Sequence, residues 1–459
     1  MIGSSNPELQ KNIWLELNPR RLAVMPLLLG GIFLAVALAS DSTGEFAQRA
    51  WKYALWLYGF LVLLWGTKLA SEGIAGEVNQ RTWDNQRLTL ISPWQLALGK
   101  LLGSTLYAWY GGLLCLLVFC LTYTDFANRG KGFKVVLTMV MIGLFAHALA
   151  LLLSLVGLDK NRHRGRLPST FYFLAGVVGA LVMLNASLQT INEWGQTFQW
   201  YFASVALDDF TTLSAVFFCF WALLGLYRGM RGEMQRHNGP WAWWGFAASL
   251  ALYAAGFAAL GNVSPADHTV LGCYMALGVV TALTYYTAFS EVKDLVLIKS
   301  LGDCIAHRQW GPFFARAPLW LLTLVLTALC TLAALGASLV ASDGSVMDQV
   351  QTTLYPFNVF CFLLRDLSLL FYLNLAANNR RADLATLIYL LALYGLLPTM
   401  LAVSSANDLL PALLPWPTDN PLIGTLLPLL QFVVVFYLLQ NRLRQRLQAP
   451  INPIDTAPA

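Results

Sequence analysis

The sequence predicts an all-α polytopic membrane protein, with about 12 transmembrane helices arranged as two parallel six-helix repeats. Three observations carry that prediction. Charged residues make up only 12% of the 459 positions and the mean hydropathy is +0.59, whereas a soluble chain carries about 25% charge. Apolar runs recur at the length of ~20 residues that a helix needs to cross ~30 Å of hydrocarbon. Stretches of the first half also reappear in the second at a near-constant spacing.

The opening 21 residues are polar and end in Arg20-Arg21, and no small-residue cleavage site follows the first apolar run, so no cleavable signal peptide is expected. Segment 5–20 is too short and polar to span; Trp14, Leu15 and Leu17 beside Lys11 and Arg20 predict a helix along the membrane surface. Twelve spans follow, near 22–40, 52–71, 99–123, 134–157, 168–188, 211–228, 241–261, 268–290, 318–341, 352–376, 384–404 and 422–440. With the N-terminus in the cytoplasm, 22 of the 29 lysines and arginines fall on the cytoplasmic side. The positive-inside rule therefore places both termini there. Loop 124–134 runs against the trend, with Arg129, Lys131 and Lys134 outside. The pI of 8.8 comes from these loop cations and speaks to topology rather than to nucleic acid.

The repeat is visible in single residues. Segment 151–176 aligns with 369–393 at an offset of 218, which sets Asn161-Arg162 on Asn379-Arg380. Ser71-Glu72 aligns with Ser290-Glu291 at offset 219, and Trp94 and Lys100 with Trp310 and Arg316 at offset 216. Each half ends in a basic tail, so the expected units are 1–235 and 236–459. An even number of spans per unit gives both the same orientation, a parallel repeat.

In each half one connection is long, 72–98 and 291–317, between the second and third spans of the repeat. The first predicts a short helix over EVNQRTWDNQRLTLI, with Glu77, Arg81 and Asp84 spaced to pair along one face and Trp83 and Leu90 as an apolar anchor opposite. Ser92 then fits an N-cap and Pro93 the first helical position. Glu72, Arg87, Gly99 and Lys100 complete this polar segment. Its residues Glu77, Arg81-Thr82-Trp83-Asp84, Leu88, Ser92-Pro93 and Gly99-Lys100 resemble the signature of ABC-2 type transporter permeases. That family usually has glycine where Arg81 stands.

The resemblance implies that 73–98 is a coupling segment seated in a cleft of a separate ATPase subunit. Charges there would give register and selectivity, and Trp83 would anchor the contact. It also implies broken, partly re-entrant helices in the connections 189–210 and 405–421. The second half keeps Glu291, Lys293, Asp294, Trp310 and Arg316 as coupling candidates but lacks the Thr-Trp-Asp core.

The chain carries no nucleotide-binding motif, no HExxH and no GxSxG, so neither a catalytic nor a metal site is expected. ATP-Mg belongs, on this reading, to the partner ATPase. The seven cysteines are scattered without metal-ligand spacing and read as packing residues, and His163, His237, His268 and His307 read as solvated. Lys68 is near enough to a span end to snorkel. His147, Arg365 and Asp366 sit near the middle of spans, Arg365 falling on His147 at offset 218. They line a central cavity or close an interhelical hydrogen bond and a buried ion pair. Asn185 and Asn374 suit hydrogen bonds across helices.

The expectation is a permease subunit of an ABC exporter in the bacterial inner membrane, two six-span units fused and served by two ATPase subunits per chain. Pairing with a second permease and a periplasmic partner are the further partners weighed. The rival classes are a 12-span secondary transporter, whose typical second-to-third loop motif is missing, and a permease-fold subunit passing ATP-driven motion to a periplasmic partner.

Overall fold

The computed structural model describes residues 6–87, 91–123, 131–161, 169–192, 195–236, 238–260, 265–291, 293, 295–340, 346–376, 381–404, 407–415 and 421–448. The chain divides into two compact units, Met1–Phe198 with Ser204–Asn238, and Gln199–Ala203 with Gly239–Ala459. Both are built from helices with apolar surfaces, and the chain is an all-α polytopic membrane protein.

In the first unit, α1 (Pro7–Glu16) starts where the Asn6 side chain accepts from Leu9 N at 3.2 Å, with Pro7 in the first turn. Trp14 and Leu15, in its last turn, remain exposed, while Glu8 and Leu9, in its first turn, are buried. Asn18 caps α2 (Pro19–Leu38). Next, α3 (Thr43–Tyr58), a π-helical stretch (Gly59–Gly66) and α4 (Thr67–Asn79) form one continuous helix of 37 residues. At 1.5 Å per residue that is roughly 55 Å, well beyond the ~30 Å of hydrocarbon, so its end projects from the bilayer.

After α5 (Trp83–Arg87), α6 (Pro93–Gly103) and α7 (Leu106–Thr122) make one span bent by 59°. Then come α8 (Lys131–Asn161), α9 (Ser169–Asn192), a hairpin of β1 (Thr197–Trp200) and β2 (Ala203–Ala206), and α10 (Leu207–Glu233). The long helix α8 is the axis of this unit and packs against α4, α9 and α10.

The second unit contains α11 (Trp241–Ala255), α12 (Pro265–Ser290), α13 (Leu295–Ala306), α14 (Trp310–Arg316), α15 (Leu319–Val340) and α16 (Val346–Asn374). It continues through α17 (Ala382–Leu391), a π-helical stretch (Ala392–Leu396) and α18 (Leu397–Val403) to α19 (Pro421–Gln448). Helices α12 and α15 are joined by threonine hydroxyls, Thr284 to Thr327 at 3.1 Å and Thr287 to Thr323 at 3.3 Å. Such bonds hold helices where lipid removes the hydrophobic drive to associate.

Among the described residues ten helices are long and apolar enough to span, or eleven with the bent pair, against the twelve expected. Among the described residues every expected run falls on helix. The shortfall is α11, whose 15 residues pass at Gly256 into a 3₁₀ turn (Gly256–Leu260). A second correction concerns 189–210. No re-entrant helix forms among its described residues; α9 runs to Asn192, Gly195 takes a left-handed φ of 88°, and β-branched and aromatic residues pair as the hairpin. In 405–421 the described part is a 3₁₀ turn, Asn407–Ala412, after α18.

Candidate functional site

The helix expected over 77–91 is broken in two. Helix α4 ends at Asn79, and Arg81 takes a left-handed φ of 60°. The amide of Thr82 donates to Glu77 O at 2.9 Å and that of Arg81 to Val78 O at 3.0 Å. This pair of bonds is the Schellman stop, in which the residue after the cap must adopt the conformation glycine tolerates best. The glycine usual at this position in the resembled signature thus has a backbone reason, and arginine meets the same demand at a steric cost. Because the helix stops there, Glu77, Arg81 and Asp84 share no helical face.

Glu77 turns inward instead. Its Oε1 accepts from Gln86 Nε2 at 2.8 Å and from Lys100 Nζ. Lys100 also donates to Glu8 Oε1 at 2.9 Å, and Glu8 holds Lys11 at 2.9 Å. Lys100 is 3% exposed and Glu8 7%, so this is a buried cluster. Burial by itself pushes the Glu8 carboxyl up, but the ammoniums of Lys11 and Lys100 outweigh it and hold it below the usual carboxylate range.

Helix α1 is thereby clamped onto α6. Asn6 Nδ2 donates to Gln95 O at 2.7 Å, and a Cβ on Gly99 would stand 2.8 Å from Glu8 Cβ. Gly99 is therefore the gap through which α1 approaches. Ser92 and Pro93 behave as expected: Gln95 N donates to Ser92 Oγ at 3.2 Å, Ser92 N donates to Gln95 Oε1 at 3.0 Å, and Pro93 opens α6.

Trp83 does not offer its ring to a partner. It is 3% exposed, packed among Ile74, Leu96, Leu101 and Met230, and its Nε1 donates to Glu233 Oε2 at 3.5 Å. Its large apolar area is satisfied within the unit, so it anchors the segment rather than the contact. Facing outward are Glu72, Arg81, Thr82 and Asp84, together with Asn79, Gln80 and Asn85, and Trp94 further on. Arg87 ends α5, and Leu88 and Leu90 lie outside the described residues.

The second unit repeats the local geometry. Arg308 takes φ 54°, with Gln309 N donating to Cys304 O at 2.8 Å and Arg308 N to Ile305 O at 3.1 Å. Two residues past each left-handed arginine a short helix opens on tryptophan, α5 on Trp83 and α14 on Trp310. Backbone geometry thus pairs Trp310 with Trp83, where the offset of 216 paired it with Trp94. Trp310 is 56% exposed and Arg316 is exposed at the other end of α14.

Glu291 is used otherwise. Its carboxylate accepts from Leu319 N at 2.9 Å and Trp320 N at 3.5 Å, capping α15. Burial raises its carboxyl, against the pull of those amides and of Lys293. Lys293 pairs with Asp383 at 2.8 Å, which also accepts from Asn374 at 2.9 Å. Asp294 lies outside the described residues.

The intramembrane polar residues are enclosed within their own units. His147 is fully buried and its Nε2 donates to Val62 O at 2.8 Å, inside the π-helical stretch. A Cβ on Gly66 would stand 2.5 Å from that nitrogen. Arg365 donates to Asp366 Oδ1, Gln431 Oε1 and Tyr394 OH at 2.8, 2.6 and 2.9 Å. Asp366 Oδ2 accepts from Tyr285 OH at 2.7 Å and Tyr394 OH at 2.5 Å. The interhelical bond and the buried ion pair are thus both present.

Sequence reasoning missed Glu8, Gln86 and Glu233, which hold the segment from other elements. The one signal was Glu8 beside Lys11 on a helix read as lying on the membrane. His268, read as solvated, instead has its Nε2 buried.

Residues 20–161 match the ABC-2 type transporter family model. The matched stretch runs from α2 to the end of α8 and contains the whole clamped segment between α4 and α6. An ABC-2 domain indicates a membrane permease component of an ABC transporter; it is not itself catalytic, and its family normally works with ABC ATPase partners. The comparisons with curated proteins and with solved structures returned no match.

Proposed function

We propose that the chain is the permease subunit of an ATP-driven exporter, moved by separate ATPase subunits that carry the ATP-Mg. The outward face of the Arg81 turn, with Thr82, Asp84 and Glu72, is the docking surface. The observation that carries this reading is mechanical. The turn caps a continuous helix of 37 residues and is fixed to α6 and α1 through buried Lys100. A push on so rigid a projection reaches two spans with little lost in side-chain rearrangement. The ABC-2 match over 20–161 supports the same assignment.

The matching turn at Arg308 supports a second docking element, Trp310 to Arg316, and hence two fused units, 1–235 and 236–459, served by two ATPases. The positive-inside bias supports a cytoplasmic position for both turns and both termini, and on this reading the membrane is a bacterial inner membrane. The test is co-purification from the native host in mild detergent with Arg81→Glu/Asp84→Arg, a pair that leaves Trp83 and Lys100 in place. Two soluble ATPases per chain, lost in the variant, is the expected result. Two chains with two ATPases would overturn the fused arrangement, and transport driven by ion gradients with no ATPase bound would overturn the whole reading.

A further inference from the structure

A groove of about 420 Å³ lies in the second unit between α11, α12 and α15. The space exists because its walls are cut short: Ala251, Ala255, Gly272, Cys273, Ala276 and Cys330 stand where larger side chains would meet. The turn of the hairpin, which belongs to this unit, closes one end. Tyr201 is held there in a left-handed conformation, φ 55°, its amide donating to Gly256 O at 3.0 Å and its hydroxyl to Leu252 O. Gly256 is obligatory beneath it, since any Cβ would collide with the Trp200 indole.

One polar atom of the lining stands out. His268, in the first turn of α12, has its Nε2 buried and without a hydrogen-bond partner among the described residues. Ligand sites have this makeup: about 300–1,000 Å³, apolar walls and a few placed polar groups.

We propose that the groove holds one acyl chain of a membrane phospholipid, with an ester or phosphate oxygen of the same lipid accepting from His268 Nε2. The wall chemistry selects a hydrocarbon chain. The position between spanning helices α12 and α15 puts that wall in reach of the bilayer's own chains. His268 sits at the terminal turn of its span, the depth at which glycerol esters and phosphates lie. The inference needs only a chain embedded in lipid, so it stands or falls separately from ATPase docking.

The test uses the full chain in phosphatidylethanolamine/phosphatidylglycerol vesicles with a trace of phosphatidylcholine carrying a mid-chain diazirine. After irradiation, adducts are mapped by mass spectrometry. Adducts on 248–258, 272–276 and 326–333 are expected, falling about tenfold in Ala276→Trp while those around exposed Leu121 and Leu387 stay constant. Ala251→Leu is a milder filling variant, expected to act in the same direction should the tryptophan variant not fold. His268→Ala is expected to lower groove labelling by the phospholipid probe and to leave labelling by a diazirine fatty acid unchanged. Labelling of the exposed faces with none in the groove overturns the proposal, as does groove labelling by the free fatty acid alone.

Discussion

Lys100 Nζ lies 2.9 Å from Glu8 Oε1, across 92 residues of sequence, and the same ammonium meets Glu77. One buried cation thus ties the N-terminal helix, the projecting end of α4 and the start of a span. Removing it leaves the Glu77 carboxylate without its cation and Glu8 with Lys11 alone, beside each other in a largely desolvated site. Lys100→Met is expected to destabilise the first unit by roughly 3–5 kcal/mol, the usual result of breaking a buried pair from one side. Adding Glu8→Gln and Glu77→Gln removes the stranded charges and recovers most of that loss. Thermal unfolding midpoints in detergent, compared across the single and triple variants, check it; equal losses in both would mean that charge is not what holds the clamp.

The clamp also has a pH window. Glu8 sits below its ordinary value, which is about 4.3, so its contribution is complete above that pH and is lost as pH falls through the folded value. Glu291 is raised, so its protonated form is the one the fold favours, and acidification does not loosen the start of α15. Hydrogen exchange followed from neutral pH downward is expected to show α1 amides losing protection first. The amide of Leu319 keeps its protection over the same range. Simultaneous loss at both places would contradict the assignment of the two carboxylates to separate helix ends.

Arg81 separates backbone from side-chain effects. Its left-handed backbone costs an L-residue about 1–2 kcal/mol, while glycine gives back part of that through its freer unfolded state. Arg81→Gly is therefore expected to raise stability by up to about 1 kcal/mol, and Arg81→Val to lower it by at least as much. In co-purification Arg81→Gly is expected to weaken ATPase recovery even as the protein becomes more stable. Recovery unchanged in Arg81→Gly would remove the guanidinium from the contact and leave the turn itself as the docking feature.

Helices, spans and the polar island were legible because they rest on local composition. The apolar runs, the Ser92 cap and Pro93 needed only neighbours within a turn. The break at Arg81 was not legible, because arginine rather than glycine stands at the left-handed position and so nothing in EVNQRTWDNQR marks the stop. Trp83 misled for a related reason: an aromatic in a polar stretch has the same appearance whether it faces a partner or its own core. The Glu8–Lys100 pair required three-dimensional proximity across 92 residues, and the Arg308 turn, though local, has no glycine to mark it. The hairpin was misjudged because the resemblance, rather than the alternation in TFQW, guided that stretch.

The network around Arg365 allows an internal control on what buried charge does in this protein. Arg365 and Asp366 are neighbours on α16, and each reaches partners on other helices: Tyr285 on α12, Tyr394 in the π-helical stretch and Gln431 on α19. Asp366→Asn leaves the guanidinium without its counter-charge and is expected to cost roughly 3–5 kcal/mol. Tyr394→Phe removes one donor and one acceptor from a network that keeps its charges balanced, and about 1–3 kcal/mol is expected. Arg365→Met/Asp366→Asn leaves neither charge behind, so its loss is expected to be smaller than that of Asp366→Asn alone. A double-mutant cycle on unfolding midpoints reads this directly. If the double variant instead loses more than either single change, the pair is adding net stability rather than cancelling its own desolvation, and the fixed arrangement of α12, α16 and α19 depends on the charges themselves.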